Sequence, residues 1–129
     1  MAQSQTKMQN QVVASNVVAD IIAAGNTDLL EVLTDGIERL AVEIVLTVQS
    51  FDAFIMQAKI HPDSAYVTIT NAITATPGGV VLAASGTLAT LAPGTGWALL
   101  DVRPFIAVKF QASAAVDGAD VTIRAKGSV

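Results

Sequence analysis

The sequence predicts an all-β protein, a two-sheet antiparallel sandwich of about eight strands, jelly-roll or Greek-key-like, with an N-terminal arm. Three observations predict this class. Apolar and polar residues alternate along much of the chain beyond residue 40, turn-forming residues separate these segments, and the two halves of the chain repeat similar blocks. A chain of 129 residues fits one domain with one core.

The first 14 residues differ in composition from the rest of the chain. They are rich in Gln, Asn and Ser and show little alternation. A polar arm of this kind gains order when it contacts a neighbouring subunit, and a frayed terminus is the alternative interpretation. We therefore divide the chain into an arm, residues 1–14, and a sandwich domain, residues 15–129. The arm supplies four candidate interface residues: Met1, Lys7, Met8 and Gln11.

Strand patterns are clearest at residues 41–48, 66–70 and 119–124, where β-branched residues alternate with polar ones. Alternate residues of a strand face the same side, so one side of each segment is expected to be buried. The core candidates are Val42, Ile44, Leu46 and Val48 on the first segment, and Val108 and Phe110 in the second half.

Turn signals lie between these segments. Glycine supplies the positive φ that tight turns need, proline fixes its own φ, and Asp bonds nearby backbone amides. The turn candidates are Asp35-Gly36, His61-Pro62-Asp63, Pro77-Gly78-Gly79, Pro93-Gly94-Thr95-Gly96 and Asp117-Gly118.

Residues 29–44 have a competing interpretation. Their leucines and isoleucines also recur at helical intervals, and Thr27 or Asp28 would cap such a helix. A glycine at position 36 would cost a helix about 1 kcal/mol, whereas Asp35-Gly36 suits a turn between strands. We favour strands.

An internal repeat supports that choice. Residues 21–32 resemble 91–102, residues 40–44 resemble 106–110, and residues 54–59 resemble 121–126, in the same order. Because the later copies show clear strand alternation, the repeat predicts strands in residues 29–60 as well.

Composition restricts the classes of partner. Hydrophobic residues make up 52% of the chain and charged residues only 14%, against roughly 25% in ordinary domains. No apolar segment is long enough for a spanning helix, so we expect no membrane and instead subunit contacts that cover apolar surface. The net charge of −4 with dispersed basic residues predicts no direct nucleic-acid binding. The polar N-terminus lacks a signal-peptide core, which predicts synthesis in the cytoplasm.

No catalytic, cofactor or metal site is predicted. His61 is the single histidine, and its neighbour Asp63 fits turn chemistry better than a catalytic pair. The acids at positions 117 and 120 are too sparse for a calcium loop. The Gly94-Thr95-Gly96 segment lacks the lysine of a phosphate-binding loop and reads as a hairpin loop. We therefore expect no enzyme and no cofactor.

Aromatic residues are few, and most are expected in the core. Trp97 follows the Pro-Gly-Thr-Gly segment, where a large amphipathic ring is able to anchor a partner, although a core position at the start of a strand is favoured. Trp97 and Arg103 complete the set of candidate interface residues.

Four segments resemble small β-rich proteins encoded among the structural genes of tailed bacteriophages. They are Phe51-Asp52-Ala53-Phe54, residues 59–68 from Lys59 to Thr68, Gly96-Trp97-Ala98-Leu99-Leu100-Asp101-Val102, and the closing Val121-Thr122-Ile123-Arg124-Ala125. The similarity spans residues 15–127 and is one of short motifs and style.

This resemblance implies a virion protein, first of all a capsid decoration or cement protein. Such a protein is expected to form homo-oligomers, often trimers, and to bind the major capsid protein or another virion protein at capsid junctions. It would be located in the virion after synthesis in the host cytoplasm. The alternatives are a tail-tube, head-tail connector or host-recognition component, the last of these binding carbohydrate.

Overall fold

The computed structural model describes residues 3–8, 11–69, 81–84 and 92–129. Short β-branched segments separated by glycine and proline turns give ten strands in this part of the chain. They are β1 (Ser4–Met8), β2 (Gln11–Ile21), β3 (Thr27–Leu33), β4 (Arg39–Thr47), β5 (Phe51–Lys59), β6 (Val67–Thr68), β7 (Val81–Ala84), β8 (Gly94–Asp101), β9 (Ala107–Ala114) and β10 (Ala119–Ser128).

The strands form two antiparallel sheets that enclose one core. One sheet has the order β1-β2-β10-β4-β8-β7, and the other has the order β3-β9-β5-β6. The pairs β2·β10, β3·β9, β4·β8 and β5·β6 are those of a rolled-up jelly roll, to which β1 and β7 add one strand at each edge of the larger sheet. The predicted two-sheet sandwich is therefore confirmed, and its topology is the jelly roll.

The internal repeat appears in the structure as a crossed arrangement of the two halves. Strand β4 of the first half lies between β10 and β8, and β9 of the second half lies between β3 and β5. Equivalent positions are also buried in both copies, as in the pairs Val42 and Val108, Ile44 and Phe110, and Met56 and Ile123. Each of these two repeat-related strands therefore pairs on both sides with strands of the other half.

The core contains the inward residues of both sheets. Phe51, Phe54 and Phe110 form a stack in which successive ring centroids lie 5.8 and 5.7 Å apart. Val42, Ile44, Leu46, Val108 and Phe110 are buried as predicted. Val48 is not, because β4 ends at Thr47 and Val48 turns outward with a φ of 72°.

Two further local interpretations are settled by the strand bounds. Residues 29–44 form β3 and β4 with a turn at Gly36, where φ is 80°, so the helical alternative is wrong. Gly94-Thr95-Gly96 was expected to be a hairpin loop. It opens β8 instead, because Gly94, Thr95 and Gly96 pair with Leu46, Val45 and Ile44 of β4.

The N-terminal residues join the larger sheet. Strand β1 pairs with β2 from Ser4 opposite Ser15 to Met8 opposite Gln11. The boundary drawn between residues 14 and 15 falls inside β2, which starts at Gln11. The turn predicted at Pro77-Gly78-Gly79 lies outside the described residues, as does the end of the strand predicted over residues 66–70.

Candidate functional site

The outer face of the larger sheet carries a groove of about 390 Å³. Antiparallel register aligns the outward residues of four strands in rows. One row consists of Ser15 on β2, Arg124 on β10, Glu43 on β4 and Trp97 on β8, and the next consists of Val13, Lys126, Ala41 and Leu99.

Ala41 explains why the surface is concave. It is exposed at the middle of the second row, and a methyl group there leaves space between longer neighbours on either side. Trp97 lines one side of the groove, and Arg124 and Lys126 line the other. The depression is therefore a property of side-chain lengths across four paired strands.

The groove combines an aromatic ring, an ion pair and a second cation. Trp97 is 54% exposed. The Arg124 Nη1 atom donates to Glu43 Oε1 at 2.8 Å. Lys126 makes no salt bridge with the described residues, so the groove carries one net positive charge although the chain as a whole is acidic.

On the outer face of the smaller sheet, charged side chains contact Tyr66 and one another. The ammonium groups of Lys59 and Lys109 lie 5.1 and 4.8 Å from the centroid of the Tyr66 ring. The Tyr66 hydroxyl donates to Glu31, and burial together with this carboxylate raises the pKa of Tyr66 above its usual range. Asp28 accepts a hydrogen bond from Gln111 and lies 3.8 Å from the ammonium of Lys109.

One end of the sandwich, here called the loop end, carries among the described residues the β2–β3, β4–β5 and β9–β10 connections. Each connection exposes one β-branched side chain, Ile22, Val48 and Val116, of which Val48 is 67% exposed. Backbone hydrogen bonds join the connections, from Ala114 N to Ile22 O at 2.9 Å and from Ala115 N to Ser50 O at 2.8 Å.

Val48 holds a costly backbone conformation at this end. Its φ of 72° and the hydrogen bond from Gln49 N to Thr47 O define a γ-turn, which β-branched residues rarely adopt. Such strain costs of order 1 to 3 kcal/mol and is often found at sites of function. The valine side chain itself makes no contribution to the core, since it faces solvent.

The loop end is also acidic. Two of its carboxylates hold the connections together: Asp117 accepts from Ala23 N at 2.8 Å, and Asp120 accepts from Asp20 N at 3.0 Å. Asp20 and Asp52 add exposed acids. By strand register, all seven lysines and arginines lie on the middle of the strands or towards the opposite end.

The candidate interface residues fall in separate places. Lys7 and Met8 lie on the edge strand β1, and Gln11 begins β2 beside them. Arg103 lies at the same end of the sheet on the far side of β10 and β4, where hydrogen bonds to Asp101 lower the pKa of that carboxyl. Met1 lies outside the described residues.

Trp97 is a candidate interface residue for which a core position was favoured; the structure exposes the ring instead. Its neighbours Ala98 and Gly96 are buried, so strand alternation turns the indole outward. The groove residues Ala41, Glu43, Arg124 and Lys126 were not selected from the sequence, because their proximity depends on pairing between distant strands.

The remaining predicted features have simple surroundings. His61 and Asp63 lie in an exposed turn, where His61 Nδ1 accepts from Asp63 N at 3.1 Å. Among the described residues, no three potential ligands cluster to hold a metal ion. The described part of the chain also contains no helix with the length and hydropathy to cross a membrane.

The site therefore belongs to a jelly-roll sandwich with one grooved sheet face and an apolar, acidic loop end. No family model matches the sequence, and no curated protein matches it. The fold is similar to the crystal structure of the SPBc2 prophage-derived protein YomS, with a TM-score of 0.56 and 14% identity over 89% of this chain and 95% of that chain. A structure of Bacillus endospore appendages, described as disulfide-linked pili, aligns with a TM-score of 0.43 and 11% identity over 96% of each chain.

Proposed function

We propose that the chain is a structural protein of a bacteriophage virion, and specifically a capsid decoration protein that stabilises the head. The observation that carries the proposal is the loop end, where connections joined by backbone hydrogen bonds each expose a β-branched side chain, Ile22, Val48 or Val116. Exposed apolar clusters with a charged rim are typical of protein docking surfaces. The likeness in fold to a prophage-derived protein supports a phage origin.

The charge of the loop end selects its partner. Asp20, Asp52 and Asp117 are exposed in or next to the connections that carry the apolar side chains, so two loop ends facing each other would repel. A capsid surface with an apolar centre and a basic rim fits instead. In this proposal the subunits form trimers through other surfaces and direct their loop ends at the major capsid protein.

Mass analysis of purified virions tests the role directly. We expect the protein at a copy number stoichiometric with capsid sites, and heads that lack it should lose their DNA at lower temperature. Presence in isolated tails alone would replace the decoration role with a tail-tube or connector role. Absence from every particle would reject the proposal.

Substitution of Val48 by glycine separates docking from folding. Glycine adopts positive φ without strain, so Val48→Gly should stabilise the isolated protein by about 1 kcal/mol. The same change removes an apolar contact and should weaken capsid binding. Val67→Ser, which alters a valine that is equally exposed but lies outside the loop end, serves as the control and should leave capsid binding unchanged.

A further inference from the structure

We propose that the groove beside Trp97 binds a sugar residue that carries a carboxylate, as part of an acidic polysaccharide. This inference goes beyond the docking role of the loop end and does not depend on it. Its basis is the combination in one concave site of an aromatic ring, short floor side chains, a paired carboxylate and guanidinium, and an ammonium that forms no salt bridge with the described residues.

The aromatic ring and the floor suit the apolar side of a pyranose. Trp97 is half exposed at the side of the groove, and Ala41 keeps the floor low enough for a flat ring to approach. The volume of about 390 Å³ lies in the range of small-ligand sites, which combine a mainly apolar lining with a few polar groups.

The ion pair suits vicinal hydroxyl groups. Glu43 accepts and Arg124 donates, and their contacting atoms are 2.8 Å apart. A sugar hydroxyl both donates and accepts, so two neighbouring hydroxyls are able to satisfy both side chains at once. A purely aliphatic ligand would take water away from this ion pair without offering a hydrogen bond in its place.

The third charged group selects an acidic sugar. Lys126 lines the groove and forms no salt bridge with the described residues, while Glu43 is already neutralised by Arg124. A ligand carboxylate would therefore meet one net positive charge. Charge-assisted hydrogen bonds to such a group are about twice as strong as neutral ones.

A peptide is a weaker candidate because the groove offers no free backbone. Strands β2, β10, β4 and β8 are all paired beneath it, so an extended peptide is unable to add to the sheet there. Recognition must use side chains.

The single tryptophan makes the test specific to this site. Trp97 is the only indole of the chain, so its emission reports on the groove alone. We expect oligogalacturonate to cause a saturable change in emission and to bind about tenfold more tightly than neutral galacto-oligosaccharide of the same length. No saturable change with oligogalacturonate up to roughly 10 mM, or equal affinity for the two oligomers, would overturn the proposal.

Matched variants, measured by calorimetry and by emission, locate the binding. Lys126→Gln should reduce the affinity for oligogalacturonate about tenfold and leave the neutral oligomer unaffected, whereas Lys109→Gln on the opposite face should change neither. Ala41→Leu on β4 fills the floor of the groove and should abolish binding. Ala19→Leu, at an exposed position of β2 that does not line the groove, should leave binding unchanged. Unchanged binding by Ala41→Leu would exclude the groove.

Discussion

The two outer faces of the sandwich are both built from alternate strand residues, but their side chains have different roles. On the smaller sheet, Tyr66 lies between two lysines and donates to Glu31, so the charged groups satisfy one another. On the larger sheet, Trp97 and Lys126 line a groove that the described residues leave open. Polar groups that are internally paired contribute to folding, whereas a half-exposed aromatic ring and a cation that forms no salt bridge with the described residues are available to a ligand.

The largest expected effect is a difference in the loss of stability between substitutions of Tyr66 and of Trp97. Tyr66→Ala removes two cation–π contacts and a hydrogen bond to a carboxylate, and should lower the free energy of unfolding by about 2 kcal/mol. Trp97→Ala removes a half-exposed ring and should cost less than about 1 kcal/mol. Urea unfolding followed by circular dichroism measures both, and a larger loss for Trp97→Ala would make the groove face structural.

A smaller effect is expected in alkaline solution. The pKa of Tyr66 is raised in the folded protein, so above the ordinary value near 10.0 the unfolded chain loses the tyrosine proton more readily than the folded chain. Stability from this group is therefore complete below that pH and declines above it. Wild-type protein should lose more stability between about pH 9 and about pH 11 than Tyr66→Phe does, as measured by urea unfolding at each pH. Equal losses would show that the Tyr66 hydroxyl does not contribute.

The smallest effect is expected at the ion pair of the groove. Glu43 and Arg124 are both partly exposed, with 30% and 59% of their side chains accessible, so solvent screens their attraction. A double-mutant cycle with Glu43→Gln and Arg124→Gln should give a coupling energy below about 1 kcal/mol. A coupling well above that value would assign the pair to folding and weaken the contrast between the two faces.

Much of the fold was predictable because its signals are local or repeated. The alternation identified β4 and β10 as strands and predicted the buried side of β4, and the repeat between the two halves correctly favoured β3 and β4 over a helix at residues 29–44. The same repeat also corresponds to the crossed placement of β4 and β9. The polar composition of residues 1–14 concealed β1, since a strand at the edge of a sheet needs little apolar surface.

The functional surfaces were less predictable for physical reasons. Residues 97–100 are all apolar, so alternation alone was unable to determine which side of β8 faces the core, and a core position for Trp97 was favoured over an exposed one. The groove brings together Ser15, Glu43, Trp97 and Arg124, which are far apart in sequence and meet only through register. Val48 continues the apolar pattern of β4, but a γ-turn ends the strand one residue earlier.

Strands β9 and β10 each lie between two strands of the first half of the chain, which has a consequence for biosynthesis. The strands β2, β3, β4 and β5 are made first, yet each pairs with β9 or β10 at the centre of a sheet. Neither sheet is able to close until residues 107–128 have left the ribosome, and contacts so distant in sequence form slowly. During translation β2 and β3 therefore lack the β10 and β9 partners that cover their edges in the folded sheets, and strand edges of this kind are prone to aggregation.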